Sequence, residues 1–418
     1  MIQKLLVILC VSVAIVSCNT KPKSNAMKSE EVVSKLQEKL ITAKEGDIIE
    51  LPEGNFEFTK PLSLDKINKI TFKGQGKDKT KISFKNQTEG AEGFKITACN
   101  DLHLEGFTMT DCKGDIIKIQ ECVGVTIREV TVGWTNGADS LNGSYALYPV
   151  TCQNVLVENC EVFCASDAGI YVGQSKNIIV RNNYVHENVA GIEIENSTNA
   201  EVYKNRCERN TGGICVFDLP DVPIKKGGSV KVFDNDITDN NHPNFAPAGN
   251  SVAVVPAGTG SFILSEESVE FYNNRITNHK TVGTAVISYL ILGRPLKDAQ
   301  YDPFYSSVYI HDNVYKNESK SPDMNREMGQ LMGKLFQGNT PEICIDGIFN
   351  PAFVDMKTGQ FIEGKGVVVK NNGAVMVANL DAGNGFKNVK VAADLFASGN
   401  VSVTTDPSWY KEKDKEKE

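Results

Sequence analysis

Three consecutive stretches of this chain nearly repeat one another: ALYPVTCQNVLVENCEVF from Ala146, GIYVGQSKNIIVRNNYVH from Gly169 and GIEIENSTNAEVYKNRCE from Gly191. Each stretch carries apolar residues with the period of two that is typical of a β-strand. A unit this short cannot enclose a core by itself and is typical of a solenoid, in which each coil covers the next. The repeats therefore predict an all-β fold of stacked coils.

Aligning the repeats predicts which side chains face the inside of the coils. The residue between two inward positions of a strand should point outward. The inward column on the first strand of each coil comprises Phe94, Ile117, Leu147, Ile170, Ile192 and Ile214. The inward column on the second strand comprises Leu104, Ile127, Val157, Val180, Val202, Val232, Phe271 and Ile310.

Two polar columns recur in the same alignment. Neighbouring rungs are ~4.8 Å apart, so amides stacked in one turn can hydrogen-bond along the axis. The asparagines of this predicted ladder follow the second strand at Asn183, Asn205, Asn235, Asn274 and Asn313. The other column holds Cys99, Cys122, Cys152, Ser175 and Ser197, which we interpret as buried small side chains rather than a metal site.

The columns and the repeat length resemble the right-handed parallel β-helix proteins of the pectin-lyase-like superfamily, over roughly residues 46–317. Residues 165–174, 210–220 and 244–250 resemble more narrowly a subgroup of secreted bacterial β-helix proteins. The resemblance implies a right-handed single-stranded parallel β-helix. It also implies a polysaccharide or oligosaccharide as the ligand, although the same coil serves surface and assembly proteins.

The N-terminal region is predicted to contain a secretion signal and a helix that caps the solenoid. Residues 1–18 resemble a bacterial lipoprotein signal peptide in which Cys18 is lipidated, and a plain cleaved signal is the alternative. Residues 19–28 are interpreted as a tether. Residues 29–45 form a predicted helix whose apolar face, with Val33, Leu36 and Leu40, covers the open end of the first coil. We expect an outer-membrane lipoprotein, periplasmic or on the cell surface, held to the membrane by its lipid.

The C-terminal region departs from the repeat. Residues 318–342 are predicted to be helical because Met324, Met328, Leu331 and Leu335 share one helical face. Residues 343–404 alternate again and are either final coils or a small β cap. Residues 405–418 are interpreted as a charged, disordered tail.

Composition excludes some classes of function. The net charge of -8 disfavours nucleic acid as a partner. Of the 11 cysteines, Cys10 lies in the signal peptide and Cys18 at its end, so an odd number remains and a complete disulfide framework is disfavoured. We expect a monomer.

Segments that depart from the repeat flank the first strand of the coils on both sides. Residues 133–145 and 240–250 should precede that strand, and residues 219–228, 256–267 and 293–306 should follow it. Loops on both sides of one face form the walls that a concave polymer site requires.

The outward residues of the first strand form the predicted floor of this groove. The rung spacing and the ~7 Å between alternate residues of a strand bring Tyr148, Tyr171, Glu193 and Glu195 into one patch. The candidate catalytic residues are Tyr171, Glu193, Glu195 and Asp167. The candidate substrate-binding residues are Tyr148, Lys118, Asp218, Phe217, Tyr145 and His242. Paired carboxylates can also hold a cation, so Ca²⁺ is considered as a cofactor, but no metal ligands are assigned.

Three activities compete for this patch. A lyase or epimerase would remove the proton beside a uronate carboxylate, a hydrolase would divide acid and base roles between two carboxylates, and a binding module would only hold sugar. The chain lacks the paired-aspartate pattern of polygalacturonase-type hydrolases, so a lyase or epimerase ranks above a hydrolase. The alternative is a non-catalytic carbohydrate-binding or cell-envelope organising protein, and the sequence leaves open whether the protein is an enzyme.

Overall fold

The structure is a computed structural model that describes residues 29–355 and 357–410. The predicted signal peptide with its lipidation site Cys18, the tether and residues 411–418 lie outside the described residues. None of the described helices is long and apolar enough to cross a membrane.

The described residues form two α-helices, many short β-strands and a few 3-10 turns. Helix α1 spans Ser29–Thr42 and α2 spans Glu327–Phe336. The strands in chain order are β1 (Ile48–Glu50), β2 (Gly54–Glu57), β3 (Leu62–Asp65), β4 (Thr71–Lys73), β5 (Thr80–Ser83), β6 (Phe94–Thr97), β7 (Leu102–Thr110), β8 (Ile117–Gln120), β9 (Val123–Gly133), β10 (Tyr145–Val150), β11 (Gln153–Glu158), β12 (Glu161–Phe163), β13 (Ala168–Gly173), β14 (Lys176–Arg181), β15 (Tyr184–His186), β16 (Ala190–Glu195), β17 (Thr198–Tyr203), β18 (Arg206–Glu208), β19 (Gly212–Phe217), β20 (Gly228–Phe233), β21 (Asp236–Thr238), β22 (Thr259–Leu264), β23 (Glu267–Tyr272), β24 (Arg275–Thr277), β25 (Val282–Ile287), β26 (Ser306–His311), β27 (Val314–Lys316), β28 (Ile343–Ile345), β29 (Val367–Lys370), β30 (Val377–Asn379) and β31 (Lys390–Ala392). The 3-10 turns are Ser251–Val254, Tyr289–Leu292, Pro351–Phe353 and Ala382–Asn384.

The strands stack into two long sheets. The first sheet contains the first strand of each coil, in the order β3-β6-β8-β10-β13-β16-β19-β22-β25-β28-β30-β31, and the second sheet contains the other 19 strands. Each strand pairs in parallel with the equivalent strands one coil away, as β13 does with β10 and β16, and only the terminal pair β30–β31 is antiparallel among these strands. The predicted right-handed single-stranded parallel β-helix with an N-terminal helix is confirmed.

The predicted core columns are in register. Leu147 pairs with Ile117 in the preceding coil and with Ile170 in the following one. On the second strand, Val180 pairs with both Val157 and Val202. All of these side chains are inaccessible to solvent, so the solenoid interior is the main hydrophobic core.

The corner after the second strand of each coil holds the predicted asparagine ladder. The side-chain amide of Asn183 donates to Oδ1 of Asn205 at 3.0 Å, and Asn205 donates to Asn235 at the same distance. The same Oδ1 atoms accept the backbone N–H of the preceding rung. The ladder continues through Asn274 and Asn313 to Asn372, which the repeat pattern does not predict because it lies 59 residues after Asn313.

A second asparagine ladder, absent from the sequence prediction, lies in the corner after the third strand. Asn188 donates to Asn210 at 3.0 Å, and Asn210 donates to Asn240 at 2.9 Å. This ladder ends on the buried ring of His279, whose Nε2 lies 3.1 Å from the Asn240 amide. Burial lowers the pKa of His279 to about 3, so the ring is neutral and can accept this hydrogen bond.

The column of small residues occupies the remaining corner. The backbone N–H of Cys152 donates to Ser175 Oγ at 2.9 Å, and that of Ser175 donates to Ser197 Oγ at 3.0 Å. All nine cysteines of the described residues are buried and free. The interpretation of this column as buried small side chains is therefore confirmed.

Helices and the chain termini cover the solenoid. Helix α1 packs on the first coil through Val32, Leu36 and Leu40, while Val33, expected on this face, is only half-buried at its edge. Residues 343–379 continue the coils, because β28 pairs in parallel with β25 and β29 with β26. This favours final coils over a separate cap.

Residues 405–410 differ from the expected disordered tail, because they find partners on the second sheet. Thr405 donates to Glu201 at 2.6 Å, and the backbone of Asp406 exchanges hydrogen bonds with the Asn199 side chain. The guanidinium of Arg181 lies 4.7 Å from the Tyr410 ring centroid.

One wall segment was assigned to the wrong element. Residues 256–267 were expected to be a loop, but they contain the first-sheet strand β22, and the apolar run before it forms the 3-10 turn Ser251–Val254. Thr259 of β22 pairs with Gly212, and the 240–250 loop and this turn lie between the two residues, so the repeat spacing does not reach the strand.

The ladder generates a stability prediction. Asn205→Ala should lower the free energy of unfolding by about 2–4 kcal/mol, because it removes the acceptor of the buried Asn183 backbone N–H and the donor to the Val180 carbonyl, and each buried unpaired group costs about 1–3 kcal/mol. Equilibrium unfolding in urea measures the change. Asn86→Ala, at an exposed amide bound to Glu57, is the matched control and should change stability by less than about 1 kcal/mol. Equal effects of the two substitutions would contradict a stabilising role of the ladder.

Candidate functional site

The outward face of the first sheet carries a second apolar layer, outside the solenoid. Its buried members include Val150, Tyr171, Phe217, Phe262 and Leu264, and it continues to Met332 of α2. The floor predicted to be an open groove is therefore largely covered from β13 onward. In the preceding coils, Lys95 remains exposed and Lys118 is half-buried.

Three tyrosines meet where the floor passes from open to covered. The ring centroid of Tyr145 lies 4.4 Å from that of Tyr148 and 4.6 Å from that of Tyr171, and Tyr148 meets Tyr171 edge-on at 4.9 Å. Tyr145 and Tyr148 are half-buried, but Tyr171 is only 3% exposed. Tyr148 and Tyr171 occupy the successive rungs predicted from the repeat.

Three carboxyl groups lie beside these rings, and the six residues together are called the tyrosine–carboxylate cluster. Tyr171 pairs in register with Glu193, and its hydroxyl lies near the Glu195 carboxyl, whose pKa it lowers. The Asp167 carboxyl lies near Tyr145 and near Asn250 of the 240–250 loop, which places that loop beside the cluster. The structure thus brings together all four candidate catalytic residues, with Tyr145 and Tyr148.

Burial raises the pKa values of these carboxyl groups. The pKa of Asp167 rises to about 6 and that of Glu195 to about 7, in each case chiefly because burial disfavours the charged form. The pKa of Glu193 lies well above its ordinary value, because the carboxyl is buried and faces Asp167 and Glu195. One oxygen of Glu193 and one of Asp167 have no hydrogen-bond partner. The pKa of the Tyr171 hydroxyl is also raised, so the ring keeps its proton.

Gly173 makes the contact between Tyr171 and Glu195 sterically feasible. A Cβ atom at Gly173 would lie 2.1 Å from the Tyr171 hydroxyl oxygen, well inside contact distance. Gly173 pairs in register with Glu195. The missing side chain therefore opens the path along which the Tyr171 ring reaches the next rung.

Lys118 borders the open side of the cluster. Its Nζ lies 4.8 Å from the Tyr148 ring centroid and 3.8 Å from an oxygen of Asp115. Asp115 was not predicted, because it lies in the corner before β8, where strand alternation does not tell which way a side chain faces. Burial raises the pKa of the Asp115 carboxyl. Asp115 therefore neutralises Lys118 only in part, and the ammonium group lies beside the Tyr148 ring.

Three other candidates lie outside the cluster. Asp218, predicted to bind substrate, is instead fully buried at the corner after β19. Its carboxylate accepts a hydrogen bond from the backbone N–H of Gly227 at 2.8 Å and cannot contact a ligand. Its neighbour Glu266 lies in the corner column of small residues, over Gly227. Phe217 lines a separate apolar cavity. His242 contacts the Phe245 ring and the Pro243 carbonyl instead of the cluster.

The arrangement suits proton transfer more than metal binding. Within the described residues, no group of three or more histidine, cysteine or acidic side chains is placed to hold a metal ion. A carboxyl group with a pKa near 7, joined to a phenol that keeps its proton, can exchange a proton with a bound molecule at neutral pH.

The buried carboxyl groups generate a prediction of pH-dependent stability. Their folded pKa values lie above the ordinary values of 3.8 and 4.5, so the folded protein binds more protons than the unfolded chain between about pH 4 and 7. Stability should therefore fall as the pH rises through this window. In Glu193→Gln the fall should be shallower, by up to about 1.4 kcal/mol per pH unit for one titrating proton.

Unfolding free energies measured at pH 5 and pH 8 test this expectation. Glu121→Gln, at an exposed position, is the matched control and should keep the slope of the unsubstituted protein. The expectation is wrong if Glu193→Gln and Glu121→Gln have the same slope.

Comparisons with known proteins bear on the fold. Residues 92–289 match the family model described as the right-handed beta helix region. No curated protein sequence matches the chain significantly.

Several solved structures are similar to this chain at low identity. The A-module of mannuronan C-5 epimerase AlgE4 from Azotobacter vinelandii is 14% identical, with 81% of this chain and 90% of that one covered and a TM-score of 0.48. The alginate lyase of Paenibacillus sp. str. FPU-7 is 14% identical, with 69% and 97% covered and a TM-score of 0.44. Endopolygalacturonase I from Stereum purpureum is 14% identical, with 67% and 93% covered and a TM-score of 0.40.

The family match over residues 92–289 and the observed stack of parallel coils show that the chain folds as a right-handed parallel β-helix.

Proposed function

We propose that the protein binds an acidic carbohydrate polymer on the open part of the first-sheet floor and transfers a proton on it by lyase or epimerase chemistry. One observation carries the proposal: Glu195, with a pKa of about 7, lies near the Tyr171 hydroxyl and beside three tyrosine rings in mutual contact. Aromatic rings pack against sugar faces, and a carboxylate poised near neutral pH is an effective general base.

The charges along the floor favour a uronate as the sugar. Lys95 and Lys118 pair in register on adjacent rungs, ~4.8 Å apart, on the exposed side of the cluster. Ammonium groups at this spacing can neutralise the carboxylates of a polyuronate. The polymer would extend from the cluster toward the N-terminal coils, because the floor on the other side is covered by the apolar layer and α2.

The residues divide the chemistry in a definite way. The Glu195 carboxylate would accept the proton from the carbon beside the uronate carboxylate, and Lys118, three rungs away, would bind the carboxylate of another sugar of the polymer. The Tyr171 hydroxyl, which keeps its proton, would then act as the acid. Elimination results if a proton goes to the leaving oxygen, and epimerisation results if a proton returns to the same carbon from the opposite face.

Purified protein and a panel of polyuronates and neutral polysaccharides test the proposal. Unsaturated product is measured by ultraviolet absorbance, and epimerised residues by NMR. The rate should rise with pH through about 7, because the Glu195 carboxylate must be deprotonated to act as a base. Glu195→Gln should lower the rate roughly 10²–10⁴-fold while leaving polymer binding intact.

Matched controls separate catalysis from folding. Tyr148→Ala should weaken polymer binding, while Tyr203→Ala, in an aromatic stack on the second sheet, should not. The catalytic proposal is wrong if the unsubstituted protein binds a polymer, and Tyr148→Ala abolishes that binding, but no polymer is converted to product. The carbohydrate proposal falls if no polymer binds.

The burial of the cluster favours a second candidate, a non-catalytic carbohydrate-binding or envelope-organising protein. Glu193 is 1% exposed, so a sugar can reach it only after the residues that cover it move. In this candidate Tyr145, Tyr148 and Lys118 hold a saccharide at the surface of the cluster. It predicts binding without product across the whole panel.

We also propose that the protein works outside the cytoplasm as a lipoprotein anchored through Cys18. The support is the signal-like N-terminal sequence, with an apolar stretch ending at Ser17 and Cys18. In bacterial cells, the protein should sediment with the membrane fraction and incorporate labelled palmitate, and Cys18→Ala should abolish both. Ser17→Thr, next to the cysteine, should retain labelling. An unlabelled protein in the soluble fraction would contradict the anchor.

A further inference from the structure

An apolar cavity of about 560 Å³ lies between the first sheet and helix α2, separate from the tyrosine–carboxylate cluster. Its floor is the outward side of β19, β22 and β25, with Phe217, Phe262 and Ala285, and its roof is the apolar face of α2, with Met328 and Met332. The volume falls within the ~300–1,000 Å³ of small-molecule sites. Flexible methionine side chains can adapt to the shape of an apolar guest.

The cavity is too apolar to be part of a carbohydrate groove. Phe217 pairs in register with Glu195, so the change from carboxylate floor to apolar floor occurs within one rung. Sugar hydroxyl groups placed over Phe262 and Ala285 would lose their hydrogen bonds to water without finding partners. The natural occupant of this space is a hydrocarbon or aromatic body.

Two arginines add a charge preference to the cavity. Arg294 and Arg326 both line it, and neither forms an ion pair within the described part of the chain. Arg326 donates to the backbone carbonyls of Asn325 and Asn244, but its buried Nε has no acceptor. Glu327 also lines the cavity, but it is exposed and pairs with neither arginine, so the lining keeps a net positive charge.

The cavity reaches the surface through an apolar rim. Val254 lines the cavity and is 40% exposed, and the half-buried Ile291 and Leu292 line it as well. Exposed apolar side chains grouped around a cavity mark a binding surface more often than single exposed residues do.

We propose that this cavity is a binding site for an anionic amphiphile, a molecule with one aliphatic or aromatic body and one carboxylate-like head. The body fills the space between Phe262 and α2, and the head pairs with Arg294 and Arg326, whose planar guanidinium groups match a carboxylate. Burial of the body supplies ~0.8 kcal/mol per methylene group, and the arginines select the sign of the head group. This site does not depend on the carbohydrate proposal.

Calorimetric titration of the purified protein with decanoate tests the site. Decanoate should bind with a stoichiometry of one, and decyltrimethylammonium, with the same tail and the opposite charge, should bind at least roughly tenfold more weakly. The double substitution Arg294→Gln/Arg326→Gln should weaken decanoate binding roughly tenfold or more. Arg275→Gln, on the second sheet and paired with Asp236, removes the same type of charge elsewhere and should have no effect.

Two substitutions place the ligand in the cavity. Ala285→Phe should abolish decanoate binding by filling the floor. Leu331→Asp, on the half-buried face of α2, should do the same by introducing a like charge, and it remains informative if Ala285→Phe does not fold. Tyr148→Ala should leave decanoate binding unchanged.

The proposal is overturned if decanoate does not bind saturably, if the cationic amphiphile binds equally well, or if binding survives in folded Ala285→Phe and Leu331→Asp. Equal weakening by Arg275→Gln would likewise overturn the role of the two lining arginines.

Discussion

The corners of the coils are the constraint on which the rest of the structure depends. A parallel β-helix must turn its chain at each corner while keeping every buried backbone group hydrogen-bonded. In the corner of the main ladder, the residue before each asparagine adopts left-handed backbone angles, with φ between 53° and 56°. These turn residues are Asn182, Lys204, Asp234, Asn273, Asp312 and Asn371. The following asparagine points inward and binds both the rung above and the rung below, so each turn is tied to its neighbours.

Regular corners also place the outward side chains of the first sheet. Because every rung repeats the same turn, Tyr171 lies one rung from Glu193 and Gly173 lies one rung from Glu195. The tyrosine–carboxylate cluster is therefore a consequence of register and not of any local motif. A slip of one residue in β13 would turn Tyr171 into the solenoid core, and the same slip in β16 would turn Glu193 and Glu195 inward.

The elevated carboxyl pKa values come from the layer that covers the first sheet. On a strand face in contact with water, Glu193 and Glu195 would be ionised at neutral pH and would have ordinary pKa values. The 240–250 loop and the apolar residues beyond β16 remove that water, so the charged forms become costly and the carboxyl groups retain protons. The same covering layer closes the downstream floor and creates the apolar cavity under α2. One covering thus separates the first-sheet face into a polar part and an apolar part.

The repeat pattern by itself determined the coil, its core columns, the main asparagine ladder and the juxtaposition of Tyr148, Tyr171, Glu193 and Glu195, because neighbours in a solenoid are set by a fixed spacing along the chain. Only the tertiary structure decided what lies over that face. Loops and α2 follow no repeat, so sequence could not reveal that Asp218 turns into a corner with Gly227, that His242 stays away from the cluster, or that Arg294 and Arg326 share a cavity. Strand β22 was missed for a related reason: the 240–250 loop and the Ser251–Val254 turn separate Thr259 from its partner Gly212, so the repeat spacing does not reach this strand.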